Sequence, residues 1–484
     1  MRFADLAVIA AYLVLITWFG ARFKETQKSL KDYFLGGRHA PWWAIAFSIV
    51  SAETSTLTVI GTPALSFSGN FTFLQLVFGY LLGRIVIALL FLPQYFRGEM
   101  FTAYELMQRR FGPHVRKFAA GLFLVLRTLA EGVRVFAVSI VISIVLGTGE
   151  TVSIAVIVCL TLFYTFEGGM TAVIWTDVVQ MILYIAGAVI SLFLIVHAIP
   201  GGWTHAVAQG AAAHKFQVFD FRASFSAAFF QRNYSFWAGL LGGCFLTMAS
   251  DGTEQLLVQR LLSARNERDS RTALFASWIV ICFQFALFLL IGVLLYVFYS
   301  DTGRAAPAIP ERTYPEFIWT HFPTGLAGLI MAAILAAAMS NLSAALNALA
   351  STTVMDFLKP LRPNYAESVY LRIARWSTVA WGGLLFTVGL AARHWGRVLE
   401  AGLSIASVLY GALLGVFLLG VLTKRPGERS AIIGMSSGLL ATFLLRGHVA
   451  FTWYVLIGSS VTFTVGYLSS LVKRRRPEPV RVSA

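Results

Sequence analysis

One stretch gathers side chains able to handle ions inside an otherwise apolar chain. From Pro41 to Leu65 the sequence is long and apolar enough to cross a bilayer. Its middle, however, reads Ser51-Ala52-Glu53-Thr54-Ser55-Thr56-Leu57-Thr58. A spanning helix takes roughly 20 mostly apolar residues. A charged residue near its centre costs roughly 2.5–3.5 kcal/mol or more, so Glu53 requires a reason. Ser and Thr compete locally for backbone hydrogen bonds, and Gly61 and Pro63 weaken or end a helix. The stretch predicts a helix interrupted halfway. Interrupted spans free backbone carbonyls near the midplane, where they can bind a cation. A polar face buried against neighbouring helices is the plainer alternative.

Other polar side chains lie in the apolar runs. Arg127, Glu131 and Arg134 follow at spacings of four and three, which puts them near one helix face. Their simplest reading is a self-neutralised cluster. Intramembrane ionisable groups nevertheless face the interior or a cavity, and a guanidinium can hold a carboxylate bidentately. If Glu131 takes Arg127, then Arg134 and Glu53 are left to pair with each other or to hold the two ends of a zwitterion. That favours an organic acid or amino acid over a neutral sugar. Ser51, Thr54, Phe71 and Gln75 are further candidate solute contacts, with ordinary packing and local capping as the alternative. Ala337, Ser340, Asn341 and Ala344 share one helical face, where small residues permit close packing. Asp177 stands one turn into another run, where an acid can face cytoplasmic water.

The elements that must position these groups follow from composition. The chain has 484 residues, 57% hydrophobic and 13% charged, with a mean hydropathy of +0.73. This is an all-α integral membrane protein. The net charge of +15 is then a question of loops, and nucleic acid is not an expected partner. Cys159, Cys244 and Cys282 lie in apolar runs and suggest neither a disulfide frame nor a metal site. No phosphate-binding G-x-x-x-x-G-K-[ST] loop is present, so nothing points to ATP. The first run, Ala4 to Gly20, reads as a retained span rather than a signal peptide.

Hydropathy predicts about 13 transmembrane helices, near 4–22, 41–64, 71–96, 116–147, 151–166, 174–199, 234–256, 271–299, 323–356, 367–392, 398–422, 428–446 and 449–472. Basic residues crowd the segments after odd-numbered spans: Arg22, Lys24, Lys28, Lys31 and Arg38 after the first, and Arg260, Arg265, Arg268 and Arg271 after the seventh. The other side is sparse. Cytoplasmic loops carry such an excess, so the N-terminus is expected outside and the C-terminus in the cytoplasm of a multi-pass plasma (inner) membrane protein. The basic tail, 473–484, is expected to be disordered and to anchor to anionic membrane lipid. Span 7 carries Gly239, Gly242 and Gly243 and then Thr247-Met248-Ala249-Ser250-Asp251-Gly252-Thr253, a second polar break. Spans 2 and 7 run in opposite directions. Two interrupted helices at matching positions of inverted halves mark secondary transporters with a midplane site. The expected organisation is 1–40 (first helix and loop), 41–200 (spans 2–6, first repeat), 201–425 (spans 7–11, second inverted repeat) and 426–484 (spans 12–13 and tail), two five-helix repeats with discontinuous first helices.

The motifs resemble those of the sodium:solute symporter family over nearly the whole chain. They are Asp32-Tyr33-Phe34-Leu35-Gly36-Gly37-Arg38, Ala103-Tyr104-Glu105 through Phe111-Gly112, Glu167-Gly168-Gly169-Met170 through Thr176-Asp177, Asp251-Gly252-Thr253-Glu254-Gln255 through Gln259-Arg260, and Gly325-Leu326-Ala327-Gly328 through Ser340-Asn341 to Asn347. The resemblance implies the leucine-transporter-type inverted-repeat fold and sodium-coupled symport of a small organic solute by alternating access. It implies sodium ligands at the carbonyls of Phe47, Val50 and Ala337 and the side chain of Ser340. Asn341 stands where the family commonly has a hydroxyl. In some relatives an acid at the position of Asp177 joins span-9 hydroxyls, here Ser340 and Ser343, in a second sodium site. Proton coupling, a sugar or polyol solute, and a transporter-fold sensor are the competing readings. A membrane enzyme is disfavoured because the eight His lie mostly in loops.

Overall fold

The computed structural model describes residues 2–22, 38–97, 103–164, 170–223 and 226–472. Within them all regular structure is helical. The expectations for the Asp32–Gly37 and Glu167–Gly169 motif segments, and for the tail, fall outside the described residues. So does the side chain of Ser340.

The span-2 stretch forms α2 (Trp42–Glu53) and α3 (Thr56–Ser68), bent by 65° at the break between them. The interruption falls inside the predicted hydroxyl run. Thr54 (φ −89°, ψ 83°) and Ser55 (φ −85°, ψ 174°) leave the helical region. The Thr58 hydroxyl donates back to the Glu53 carbonyl at 3.3 Å, so the run supplies its own replacement bonds. Gly61 and Pro63 do not end the helix, contrary to expectation. α3 continues through both, and Gly61 instead admits Leu399, whose Cβ lies 2.8 Å from where a Cβ on Gly61 would stand.

Around this pair stand α1 (Phe3–Ala21), α4 (Leu74–Phe96), α5 (Ala103–Phe111), α6 (Pro113–Leu146), α7 (Glu150–Tyr164), α8 (Met170–Ala198) and the short α9 (Gly202–Ala212). The second part carries α10 (Phe236–Thr253), α11 (Gln255–Leu262), α12 (Glu267–Thr302), α13 (Thr313–His321), α14 (Leu326–Leu361), α15 (Glu367–Ala392), α16 (Val398–Leu422), α17 (Glu428–Leu445) and α18 (Tyr454–Val472). Among the described residues, seven helices are long and apolar enough to cross a membrane, or eight with α2 and α3 counted as one broken span. Span 7 is also interrupted, but at its far end: α10 runs through the polar Thr247–Thr253 segment and stops at Glu254, which is extended (φ −83°, ψ 130°).

Two helices change pitch near a proline. π-turns at Ile87–Phe91 in α4 and Thr353–Leu358 in α14 precede Pro93 and Pro360. A proline ring clashes with the carbonyl four residues back, and the wider turn relieves it. α4 and α10 pack with backbones almost touching: a Cβ on Gly243 would stand 2.2 Å from the Leu76 carbonyl oxygen, and one on Gly79 2.6 Å from that of Gly239. Small residues allow this approach in membrane bundles, and it joins α4 closely to α10, which ends at the second break.

Candidate functional site

Three buried ion-pair clusters converge on the two breaks. In the first, Glu53 ends α2, and its Oε1 accepts from Arg84 Nη2 of α4 at 2.5 Å. The same Nη2 lies 3.1 Å from Asp251 Oδ2 of α10. Arg84 is fully buried. One cation therefore ties the end of α2 to the last turn of α10, with two carboxylates on it. Glu53 thus pairs with Arg84 and not, as the sequence suggested, with Arg134. Intramembrane arginine is itself a signal, but nothing in local spacing joins positions so far apart in sequence.

In the second cluster Arg134 and Arg127 both donate to Glu131 Oε1, at 2.5 and 2.9 Å. The shared face read from the sequence is thus a real ion-pair cluster. Arg127 Nη1 also reaches Glu254 Oε1 at 3.2 Å, and the Tyr410 hydroxyl of α16 donates to Glu254 Oε2. Arg134 is the most exposed member, at 27% of its side chain. It lines a cavity of about 10 Å³, room for a water-sized group, with Ser55 and Thr56 at the α2/α3 break and Asn341 and Leu342 of α14. Asn341, expected near sodium, stands here with the solute candidate Arg134.

The hydroxyl-bearing residues that line this cavity are Ser55 and Thr56, both themselves buried. Ser51 and Thr54, the expected contacts, are buried, and Thr54 Oγ1 accepts from Gln284 Nε2 of α12 at 2.6 Å. Gln75, another expected contact, bridges three backbone groups. Its Nε2 donates to the carbonyls of Thr72 (3.1 Å) and Tyr234 (2.9 Å), and its Oε1 accepts from the Asp220 amide (3.0 Å). Phe71 packs edge-on against Phe216 of the same segment as Asp220, centroids 5.5 Å apart. Bonds from Arg222 hold the Asp220 carboxyl there below its usual range.

The third cluster involves Asp177 of α8. It is buried rather than facing water. Its Oδ2 accepts from Ser48 Oγ of α2 at 2.6 Å and from Arg260 Nη2 of α11 at 2.9 Å; Arg260 Nε also reaches Ser48 Oγ at 2.9 Å. A sodium ion at Asp177 and Ser343 would have to compete with that guanidinium. Of the main sodium set, the Val50 carbonyl accepts the Thr54 amide at 2.8 Å, which leaves its second lone pair. Ala337 lies on α14, and α2 and α14 both pack on α8.

Two interrupted helices with buried charges meeting at the breaks describe an ion-coupled secondary transporter. The comparisons with known proteins agree. The sodium:solute symporter family profile matches residues 33–438, and the chain belongs to that family. It is 27% identical to a sodium/sialic acid symporter of Proteus mirabilis over 97% of this chain and 95% of that one. It is 29% identical to sodium-coupled monocarboxylate transporter 2 of Bos taurus, over 91% of this chain and 72% of that protein. A solved Na+-coupled sialic acid symporter, substrate-bound and outward-open, superposes with a TM-score of 0.83 at 26% identity, covering 97% and 98% of the two chains. A nucleobase-cation-symport-1 transporter shares the fold at a TM-score of 0.55 and 10% identity. The chain is a sodium-coupled solute symporter.

Proposed function

We propose that the solute is a carboxylate-bearing acid, such as a monocarboxylate or a sialic acid, and that its carboxylate rests on Arg134. The carrying observation is a guanidinium at a cavity beside a broken helix, with Ser55, Thr56 and Asn341 around it. Charge-assisted bonds from Arg to carboxylate are among the strong ones, and the hydroxyl and amide neighbours suit the remaining oxygens of such an acid. The relatives named for monocarboxylates and sialic acid support the same class.

Sodium binds in this reading between the carbonyls of Phe47, Val50 and Ala337 and the Ser340 side chain. It stabilises one arrangement of α2 and α3 against α14, and the loaded carrier turns inward by alternating access. A membrane potential contributes roughly 2.3 kcal/mol per 100 mV for each inward charge. The wider architecture is thirteen spans with the N-terminus outside and two inverted five-helix repeats, 41–200 and 201–425. The breaks after Glu53 and at Glu254 support that division, since each falls in the first helix of its repeat.

The test is thermal unfolding of the purified protein with pyruvate, sialic acid or a neutral polyol, with and without sodium. A ligand at 100 times its Kd adds about 2.7 kcal/mol. An acid that stabilises only with sodium, and not in Arg134→Gln, supports the reading. Equal stabilisation of that variant by the acid, or stabilisation by the polyol alone, refutes it.

A further inference from the structure

Arg134 is one end of a chain of charges whose other end is the second helix break. Glu131 Oε1 is shared by Arg134 Nη1 and Arg127 Nη2, and Arg127 continues to Glu254. Glu254 is the single extended residue between α10 and α11. Glu131 is fully buried and Arg127 nearly so, so water does little to screen them. The chain is balanced, two guanidinium groups against two carboxylates. Glu131 Oε2 and Arg127 Nε are buried without a hydrogen-bond partner, which leaves both side chains a second contact to make on each other.

Six residues along α11 from Glu254 is Arg260, which holds Asp177 of α8 and Ser48 of α2. α11 thus has a charged contact at each end. One reports on the cavity, and the other closes α2 against α8.

We propose that Glu131 and Arg127 are positioning residues that carry the occupancy of Arg134 by an anionic solute to Glu254, and through α11 to the Arg260–Asp177–Ser48 contact. This rests on the reading of Arg134 as the carboxylate site. A solute carboxylate competes with Glu131 for the Arg134 guanidinium. Glu131 then turns its full charge to Arg127, and Arg127 loosens from Glu254. Glu254 keeps Tyr410, but the bond that fixed the start of α11 to α6 weakens. No covalent step is involved; the solute's charge redistributes existing ion pairs. A ligand shifts such an equilibrium only by its differential interaction with the two arrangements, and the shared oxygen of Glu131 supplies that difference.

The experiment uses the full-length protein in liposomes, with radiolabelled pyruvate and sialic acid as probes and hydrogen exchange of residues 255–262 as the readout. In the wild type, the transported acid with sodium raises exchange in α11. Glu131→Gln frees Arg134, so KM for the acid falls about fivefold while the maximal rate falls at least about tenfold, and the α11 response disappears. A purely structural role would not split KM from rate in this way. Should Glu131→Gln not fold, Glu254→Gln decides: KM stays within about twofold and the α11 response is lost. The proposal is overturned if α11 in Glu254→Gln responds to the acid as in the wild type, or if KM and rate in Glu131→Gln worsen together. Normal acid uptake by Arg134→Gln, or no uptake of either acid by the wild type, instead removes the carboxylate reading on which the chain depends.

Discussion

The two buried clusters nearest the breaks differ in their balance of charge, and the difference separates holding from sensing. Around Arg84 one guanidinium serves two carboxylates, Glu53 and Asp251, and it is sealed on all sides. Around Glu131 two guanidinium groups serve two carboxylates, and one of them, Arg134, opens onto a cavity. The sealed cluster cannot release its cation without leaving buried Asp251 and half-buried Glu53 unpaired. On the proposed reading, the open one exchanges Glu131 for a solute carboxylate and keeps every buried charge partnered; there, burial with a charge deficit makes a tie, and balance with one exposed end makes a candidate site.

The strongest way to break this comparison is to remove the tie. Arg84→Gln leaves Glu53 and Asp251 without a counter-charge, and losing one partner of a buried pair costs about 3–5 kcal/mol. Little folded protein should be recovered from membranes, as read by size-exclusion chromatography and thermal unfolding; recovery and melting like the wild type would erase the distinction. Arg134→Gln should fold normally but lose about tenfold to a hundredfold in carboxylate uptake, the value of about 1.5–3 kcal/mol for a bond to a charged group. Wild-type uptake would place the solute elsewhere.

Ser340→Ala sharpens the comparison from the cation side. It should raise the sodium concentration for half-maximal uptake about fivefold to tenfold, as expected for one lost net interaction near 1 kcal/mol. An unchanged sodium dependence would remove that residue from the coordination. Gln75→Ala should have the smallest effect on transport. It leaves the Asp220 amide and a Tyr234 carbonyl without their partner, which costs about 1–3 kcal/mol of stability, while KM for the solute stays the same. A raised KM would return Gln75 to the solute site.

What could be read from sequence was local. The interruption of α2/α3 was legible because a carboxyl and a run of hydroxyls crowd a few residues, and the Arg127–Glu131–Arg134 cluster because its members are one turn apart. The Arg84–Glu53–Asp251 tie was not, since its three residues come from three helices and no period connects them. Arg260 was counted among loop charges, yet it turns inward to Asp177 for the same reason. Gly61 and Pro63 do not break α3 because their neighbours, invisible in local sequence, support the helix: Leu399 fills the space beside Gly61, and α3 runs on. The bonds of Gln75 were not legible because two of its partners, Tyr234 and Asp220, lie far along the chain.

The most direct measurement is sodium-driven accumulation of radiolabelled pyruvate and sialic acid in liposomes holding the wild-type protein or Arg134→Gln. The account predicts that an inward sodium gradient concentrates at least one of these acids in wild-type liposomes, that a potassium gradient does not, and that the variant leaves the acid at equilibrium. Accumulation that persists in the variant, or that proceeds equally without sodium, would contradict it.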